Sequence, residues 1–429
     1  MKYALVNPNW SFRGSIYFGC REPHLPLELG YAKGLLEQTG HEVMLLDAHL
    51  EDLPLDAVVR RVHRFAPDFT VIPTAPSYLF WRCPPPELRV PQELTRALGG
   101  RAGLCILIGP HPSTTPGPAL AKTGAQVAVL GESEQVLVEL GARTLDQIEG
   151  IAYQHEGALW VQGAGQTVDL AVLPPLRWPS HLLERHTHHH HRFDQPRHGL
   201  GAELEASRGC PYACSFCAKT DHRDTFRRRP LETVLAELDG LIAQGVGYVY
   251  FIDEIFLPRR ELLEALRARP VQFGIQTRID LWKPDMLELL GAAGCVSVEA
   301  GVESISDAGR DLLNKNCRMD TDTLRRRLIQ ARQSIPFVQA SLLDSQADDP
   351  QRVEQWRQEL LAHDVWANKP VPMFPYPGSP DYVRLWGAPD DRAWERAVDH
   401  YLGVFSEFSD IQDELPEPLR DLELQAGAR

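Results

Sequence analysis

The chain is poor in positive charge: 44 lysines and arginines stand against 58 aspartates and glutamates in 429 residues, a formal net charge of −14 at pH 7. That deficit argues against a nucleic-acid binder, which carries a basic footprint. Long apolar runs are missing, and Met1-Lys2-Tyr3-Ala4 opens no basic segment followed by an apolar one. Neither a membrane span nor a secretory signal is expected, and the chain is assigned to the cytoplasm. Cysteine is scarce, eight residues in all, and Cys20, Cys83, Cys105, Cys295 and Cys317 are scattered as ordinary core or surface thiols, which argues against a disulfide framework. No G-x-G-x-x-G opens a helix, so a dinucleotide is the weaker expectation. What remains, 43% apolar and 24% charged residues, is a globular composition, and the length predicts two domains with a small appendage.

The other three cysteines stand together, in Ser207-Arg208-Gly209-Cys210-Pro211-Tyr212-Ala213-Cys214-Ser215-Phe216-Cys217. Three thiolates at CxxxCxxC spacing on one tight loop can hold three corners of a four-iron cubane. Such a cluster normally has four protein ligands, so a local set of three leaves one iron open to a small-molecule chelator. The cytoplasm keeps thiols reduced, as this site requires. A zinc site of the Cys3His type, completed by His222, is the alternative. Structural zinc usually comes with two CxxC pairs, and there is no second pair.

From Lys2 to about Leu140 short β-branched runs alternate with amphipathic segments. Strands are predicted at Lys2–Val6, Glu42–Leu46, Phe69–Ile72, Leu104–Ile108 and Val127–Leu130. Helices are predicted at Pro26–Gln38, Leu55–Phe65, Glu87–Leu98, Pro118–Lys122 and Ser133–Leu140. This βαβ series predicts a doubly wound parallel sheet of α/β class, whose ligands bind outside the carboxyl ends of the strands. The loops there read Asn7-Pro8-Asn9, Pro73-Thr74-Ala75-Pro76-Ser77, Gly109-Pro110-His111-Pro112-Ser113 and Gly131-Glu132-Ser133-Glu134. Small residues let backbone approach a bulky ligand.

A hairpin is predicted at Gly150–Gln162 with its turn at Glu156-Gly157, then a proline-containing linker to about Pro179. His186-Thr187-His188-His189-His190-His191 follows; four consecutive histidines cannot all face one metal on a regular element, so it reads first as a connector over the domain seam and second as a metal or substrate site. Further strands are expected at Glu203–Ser207, Tyr248–Ile252, Val271–Gln276, Val296–Ala300, Phe337–Leu343 and Val371–Phe374, which with crossover helices suit a partial (β/α)6 barrel. Arg223 and Arg227-Arg228-Arg229 form a basic cluster, read as the solvated start of a helix or as a local anion site. The boundaries expected are 1–145 for the first domain, 146–200 for the hairpin and connector, 201–385 for the barrel and 386–429 for a helical tail, where core packing explains Trp394, Tyr401, Phe405 and Phe408 and part of the tail is expected to close the barrel's open side.

The cysteine loop, framed by Arg208, Gly209, Pro211 and Phe216, resembles the signature loop of the radical S-adenosylmethionine (SAM) enzymes. The N-terminal order is similar to the cobalamin-dependent members of that family. It runs strand, Asn7-Pro8, Leu25-Pro26-Leu27-Glu28-Leu29-Gly30-Tyr31-Ala32-Lys33-Gly34-Leu35-Leu36, Gly40-His41-Glu42-Val43, then Gly109-Pro110-His111-Pro112 and Gly131-Glu132-Ser133-Glu134. The resemblance runs from Lys2 to about Tyr382 and implies a Rossmann-like cobalamin-binding domain followed by the radical SAM barrel. It implies a [4Fe-4S] cluster on Cys210, Cys214 and Cys217, and SAM near Phe216, Asp253, Glu254, Gln276, Arg278, Glu299, Gly301 and Glu303. Asp253-Glu254 would take the SAM amino group, and Arg278 its carboxylate or one of those acids, although strand-end acids also cap helices. Cobalamin is implied against Asn7, Pro8, Pro26, Leu27, Thr74, Pro76, Ser77, Trp81, Arg82, Gly109, Pro110, His111, Gly131 and Glu132. No Asp-x-His-x-x-Gly is present, so cobalt is expected without a protein histidine, with Trp81 or Arg82 beneath the corrin or, equally, in a surface cluster. Pro375-Tyr376-Pro377-Gly378-Ser379-Pro380 resembles the family's late-barrel turn, while Leu342–Asp349 lacks the glycines many relatives place there.

The activity implied is methylation of an unactivated carbon in a small metabolite, oligosaccharide or natural-product intermediate, using a 5′-deoxyadenosyl radical and methylcobalamin, with an external electron donor such as flavodoxin or ferredoxin. Oxidation or ring rearrangement without methyl transfer is the second expectation, and a non-catalytic cobalamin sensor the third.

Overall fold

The computed structural model describes residues 1–10, 23–77, 84, 86–186 and 200–404, with the backbone of 407–408 and 417–418. Trp81, Arg82, Cys20, Cys83, His188–His191 and the side chains of Phe405 and Phe408 lie outside the described residues.

The apolar runs of the first half form β1 (Lys2–Asn7), β2 (Glu42–Asp47), β3 (Phe69–Pro73), β4 (Leu104–Ile108) and β5 (Val127–Val129). They pair in parallel in the order β2-β1-β3-β4-β5. Between them lie α1 (Leu27–Gln38), α2 (Leu55–Phe65), α3 (Arg89–Leu98), α4 (Pro110–Thr114) and α5 (Pro116–Thr123), and α6 (Glu134–Leu140) follows β5. One face of the sheet packs on Leu29, Leu36, Val136 and Leu137, the other on Val58, Val62, Leu94 and Leu120, so it is doubly wound.

The hairpin expected in the connector instead extends this sheet: β6 (Ile151–His155) pairs antiparallel with β5, and β7 (Ala158–Gln162) with β6. Its turn residues Glu156 and Gly157 have φ of 52° and 80°, as a two-residue hairpin turn requires. The chain from 164 to 179 then lies across α1, where Gly30 and Gly34 leave room: a Cβ on them would come within 2.8 Å of Trp178 and 2.6 Å of Pro174. The short α7 (Ser180–Leu183) completes the crossing.

The second sheet is parallel throughout, in the order β8 (Leu200–Leu204), β11 (Val246–Phe251), β12 (Gln272–Thr277), β13 (Cys295–Glu303), β14 (Phe337–Leu342), β15 (Trp366–Ala367). Its helices are α8 (Leu231–Ala243), α9 (Arg260–Arg267), α10 (Pro284–Ala292), α11 (Asp307–Leu312), α12 (Thr321–Ser334) and α13 (Pro350–Leu361). Leu204, Phe251, Ile275, Val298 and Ala340 belong to the core against these helices; their alternates Glu203, Gln276, Glu299 and Gln339 point to the other face by the two-residue period.

The first strand ends earlier than expected, because Ser207–Arg208 (β9) turns aside to pair antiparallel with Arg227–Arg228 (β10). The last strand is Trp366–Ala367, not Val371–Phe374. Only Val371 bridges the sheet, to Leu343, because Pro370 and Pro372 supply no amide donor.

The final helices are α14 (Pro380–Trp386) and α15 (Ala393–Val404). The described contacts of the tail reach both halves: Tyr401 packs on Phe374 of the late-barrel segment, centroids 5.4 Å apart. Trp394 donates its indole N–H to Thr115 Oγ1 at 2.9 Å and stacks on His111, centroids 4.1 Å apart, so α15 docks on the helices after β4. Among the described residues no helix is long and apolar enough to cross a membrane.

Candidate functional site

The carboxyl ends of the two sheets face each other. His24 and Glu28, after β1, meet Glu203, beside the end of β8, and Arg223; Glu132 and Glu134, after β5, meet Arg208. The cysteine loop occupies this junction, its stem pinched by the two-residue ribbon β9–β10.

Within the loop the Cys217 N–H donates to the Cys214 carbonyl at 3.2 Å. Ser215 fixes it on two sides: its N–H donates to Leu313 O at 2.9 Å, and its hydroxyl to Asp381 Oδ2 at 3.0 Å. Asn314 Nδ2 donates to Ala213 O at 2.6 Å. The Pro375–Pro380 turn therefore serves the loop. Ser379 caps α14, and Asp381 in its first turn is the residue that takes the Ser215 hydroxyl. Gly209, with φ of 80°, needs its lack of a side chain: a Cβ would lie 2.2 Å from Thr225 O.

Cys210, Cys214 and Cys217 are half-buried and none is in a disulfide. Burial pushes Cys210 and Cys214 up; the Tyr212 amide and Lys219 act against it at Cys210, and Lys315, Arg278 and Lys219 at Cys214. These cations favour the thiolates that metal ligation needs. Among the described residues no three Cys, His, Asp or Glu side chains converge as a single metal ion demands. A cubane gives each thiolate a separate iron, whereas zinc would draw the three sulfurs and His222 onto one ion. His222 is instead buried beside Glu132, Glu28 and Arg208, and burial lowers its pKa to about 4.

The strand-end residues divide between this loop and structural braces. Asp253 accepts from Ala206 N at 3.0 Å and from the Ser207 hydroxyl, and burial pushes its pKa up to about 7 against those bonds. It braces the β8–β9 corner. Glu254 accepts the Gly209 N–H at 2.8 Å and pairs with Arg223, so it holds the backbone just before Cys210.

Arg278 is committed within the chain. It makes bonds of 3.1 and 2.8 Å to Asp280 and of 2.6 and 3.3 Å to the Lys315 and Asn316 carbonyls, and its guanidinium carbon lies 4.0 Å from the Tyr212 ring centroid. It supports the cysteine loop, and its carboxylate partner is Asp280 rather than one of the strand-end acids. Glu303 folds back over Gly301 and pairs with Lys315 at 2.7 Å. Glu299 is buried, with Ser341 Oγ 3.5 Å from Oε1; Gln276 and Phe216 are half-buried. The glycine-poor 342–349 stretch has its own use: Asp348 accepts from Ser304 Oγ at 2.7 Å and from the Ile305 and Ser306 amides.

In the first half Asn7 donates to Asp47 at 2.9 Å and accepts from Trp10, Thr74 bonds to Ile108 O, and Ser77 donates to Glu28. Pro8 and Pro76 are buried beside them, Pro26 precedes α1, and Leu27 enters the core between the halves. Gly109, with φ of 110°, and Pro110 start α4. Two expectations are corrected. Gly131 lies against the backbone of Gln166, and Glu132 is engaged by Arg208, Arg227 and Val168 N, so neither is open to a ligand. The basic cluster is neither a solvated helix start nor an open anion site. Arg223 and Arg229 are buried on Glu28, Glu205, Glu254 and Glu237, and only Arg228 is exposed. This acid–arginine set joins residues up to 195 positions apart, and no local sequence pattern marks it.

The family model for the radical SAM superfamily matches residues 204–338, which contain the cysteine loop and strands β9 to β13. These residues are a radical SAM domain. With the sheet preceding it, the domain has the fold of cobalamin-dependent radical SAM enzymes. The structure of TsrM from Kitasatospora setae with tryptophan substrate and a SAM analog aligns with a TM-score of 0.74 at 18% identity, covering 90% of this chain and 75% of that one. OxsB with aqua-cobalamin bound aligns at 0.67 and 15% identity, covering 97% and 64%. In sequence, the anaerobic magnesium-protoporphyrin IX monomethyl ester cyclase of Cereibacter sphaeroides is 25% identical over 345 residues, 73% of this chain. The chain spans about half, 52%, of that relative's length.

Proposed function

We propose that this protein is a cobalamin-dependent radical SAM enzyme that methylates an unactivated carbon of a small molecule. The observation that carries the reading is the placement of three cysteines outside any disulfide on one braced loop, where the carboxyl ends of a barrel sheet face those of a doubly wound sheet. Cys210, Cys214 and Cys217 would hold the cluster. Phe216, Gln276, Glu299 and Gly301 are the barrel positions nearest in the sequence pattern to SAM, and Thr74 to Ser77 with Gly109 and Pro110 would receive cobalamin. When bound, these groups supply one-electron cleavage of SAM and methyl transfer; the protein supplies position and exclusion of water.

The chain's own part is legible in its bonds. Glu254 fixes the Gly209 amide, Arg278 backs Tyr212, and Ser215 ties the loop to α14. A small one-electron donor of the flavodoxin or ferredoxin type is the partner this reading requires.

The test is product analysis with anaerobically reconstituted protein, a low-potential reductant and candidate substrates. Methylation predicts 5′-deoxyadenosine and S-adenosylhomocysteine in comparable amounts, with one methyl mass added to the substrate. A second reading, oxidation or cyclisation without methyl transfer, is favoured by the cyclase among the relatives; it predicts deoxyadenosine without the homocysteine product. No SAM turnover under any condition would leave the non-catalytic sensor.

A further inference from the structure

We infer that Arg223 is a positioning residue that couples the loop after β3 to the cysteine loop, so that binding at the two proposed cofactor sites is thermodynamically linked. The inference rests on the functional reading above and turns on Arg223 and Glu28, which that reading leaves unused.

Arg223 sits between the cysteines and β10, buried, with a left-handed φ of 62° that a non-glycine residue keeps only when its surroundings hold it there. Its guanidinium meets three carboxylates: Nη1 donates to Glu28 Oε1 at 2.9 Å, Nη2 to Glu205, and Nε faces Glu254 Oε1. Two of these carboxylates spend their second oxygen on a loop. Glu28 Oε2 accepts the hydroxyl of Ser77, in the loop after β3, and Glu254 Oε2 accepts the N–H of Gly209, the residue before Cys210, at 2.8 Å. Glu205 is held in turn by Arg208 at 2.9 Å.

The run Ser77–Glu28–Arg223–Glu254–Gly209 thus connects the two loops through buried, charge-assisted hydrogen bonds and, between Arg223 and Glu254, an ion pair. Withdrawing either glutamate from Arg223 would strand a buried charge, so the two loops hold position together. A ligand that orders one loop then raises affinity at the other, and by linkage the effect is reciprocal. The planar fork is needed, since a lysine offers one point charge where three carboxylates converge.

Full-length protein is prepared iron-free and cluster-loaded, and the Kd for hydroxocobalamin is measured for each by titration, alongside iron content and the resonance spectrum of the reduced cluster with and without hydroxocobalamin. Wild type should bind about tenfold more tightly when cluster-loaded, within the usual range of such couplings, and its cluster spectrum should shift on binding. Ser77→Ala and Glu28→Gln should bring the ratio below about twofold and abolish the spectral shift while iron content stays at the wild-type level; Arg223→Lys should do the same. Lys122→Gln, which breaks the Lys122–Glu395 pair outside this run, should leave the ratio unchanged. A wild-type ratio of one, or a ratio that survives in both Ser77→Ala and Glu28→Gln, overturns the inference alone. Failure of wild type to load iron or to bind hydroxocobalamin overturns the functional reading and the inference with it.

Discussion

Arg278 places its guanidinium on the ring of Tyr212, 4.0 Å from the centroid, while both its edges are bound to Asp280 and to the Lys315 and Asn316 carbonyls. The end of β12 thereby supports the middle of the cysteine loop from below. Arg278→Ala would leave Asp280 and two carbonyls without their donor and free the Tyr212 ring. Iron retained after anaerobic reconstitution and desalting should fall by more than half, with Arg278→Lys intermediate because it keeps charge over the ring but loses the fork. Wild-type iron retention in Arg278→Ala would show that the stack does no positioning.

Single Cys→Ala changes at 210, 214 and 217 should each abolish SAM cleavage and reduce the about four irons expected per chain. Cys317→Ala should not, since that thiol only approaches the Met319 carbonyl, at 3.8 Å. Iron, sulfide and zinc analysis checks this. Stoichiometric zinc without sulfide would contradict the cluster assignment.

His111 is fully buried and stacked on Trp394, so it is engaged by the tail rather than offered at a strand end. Electron paramagnetic resonance of the bound cob(II)alamin state should therefore be the same in His111→Ala as in wild type, with no nitrogen superhyperfine splitting contributed by His111. His111→Ala should instead loosen the tail, lowering thermal stability by several degrees through the lost ring packing. A nitrogen splitting that vanishes in His111→Ala would reverse this assignment.

Acid should weaken the junction between the halves. Burial alone would raise the pKa of Glu132, but Arg208, Arg227 and Arg223 outweigh it and hold the carboxyl down at about 2. A depressed folded-state pKa gives stability that is complete above the unfolded value near 4.5 and is lost as pH falls from there toward 2. The contribution is on the order of 3 kcal/mol. Denaturant melts at pH 7 should find Glu132→Gln destabilised by about that amount, with the gap to wild type closing between pH 4.5 and 2. A gap that stays constant across that window would mean the loss is packing and not charge.

Periodicity and spacing carried much of this protein. The alternation of short apolar runs and amphipathic segments located β1 to β5, and the two positive-φ positions of the β6–β7 turn announced themselves as Glu156-Gly157. The cysteine loop was legible because its pattern is local: three cysteines within eight residues need no tertiary information to be recognised as a set. Where prolines interrupt the pattern, as at 370 and 372, an apolar run resembles a strand that the sheet cannot bond.

Tertiary structure alone decided what the charged residues do. Glu132 and Arg278 have the identity and loop position of ligand contacts, yet their partners turn out to be other parts of the chain. A buried charge is stable only beside its opposite, and here the opposite is supplied by segments as far as 195 residues away. The sequence thus determined which loop gathers three cysteines and that a doubly wound sheet precedes a barrel. Only the folded chain determined that the carboxyl ends of the two sheets face each other, that acid–arginine contacts lock them there, and that the tail covers the first half, because these follow from long-range desolvated pairing that no local pattern encodes.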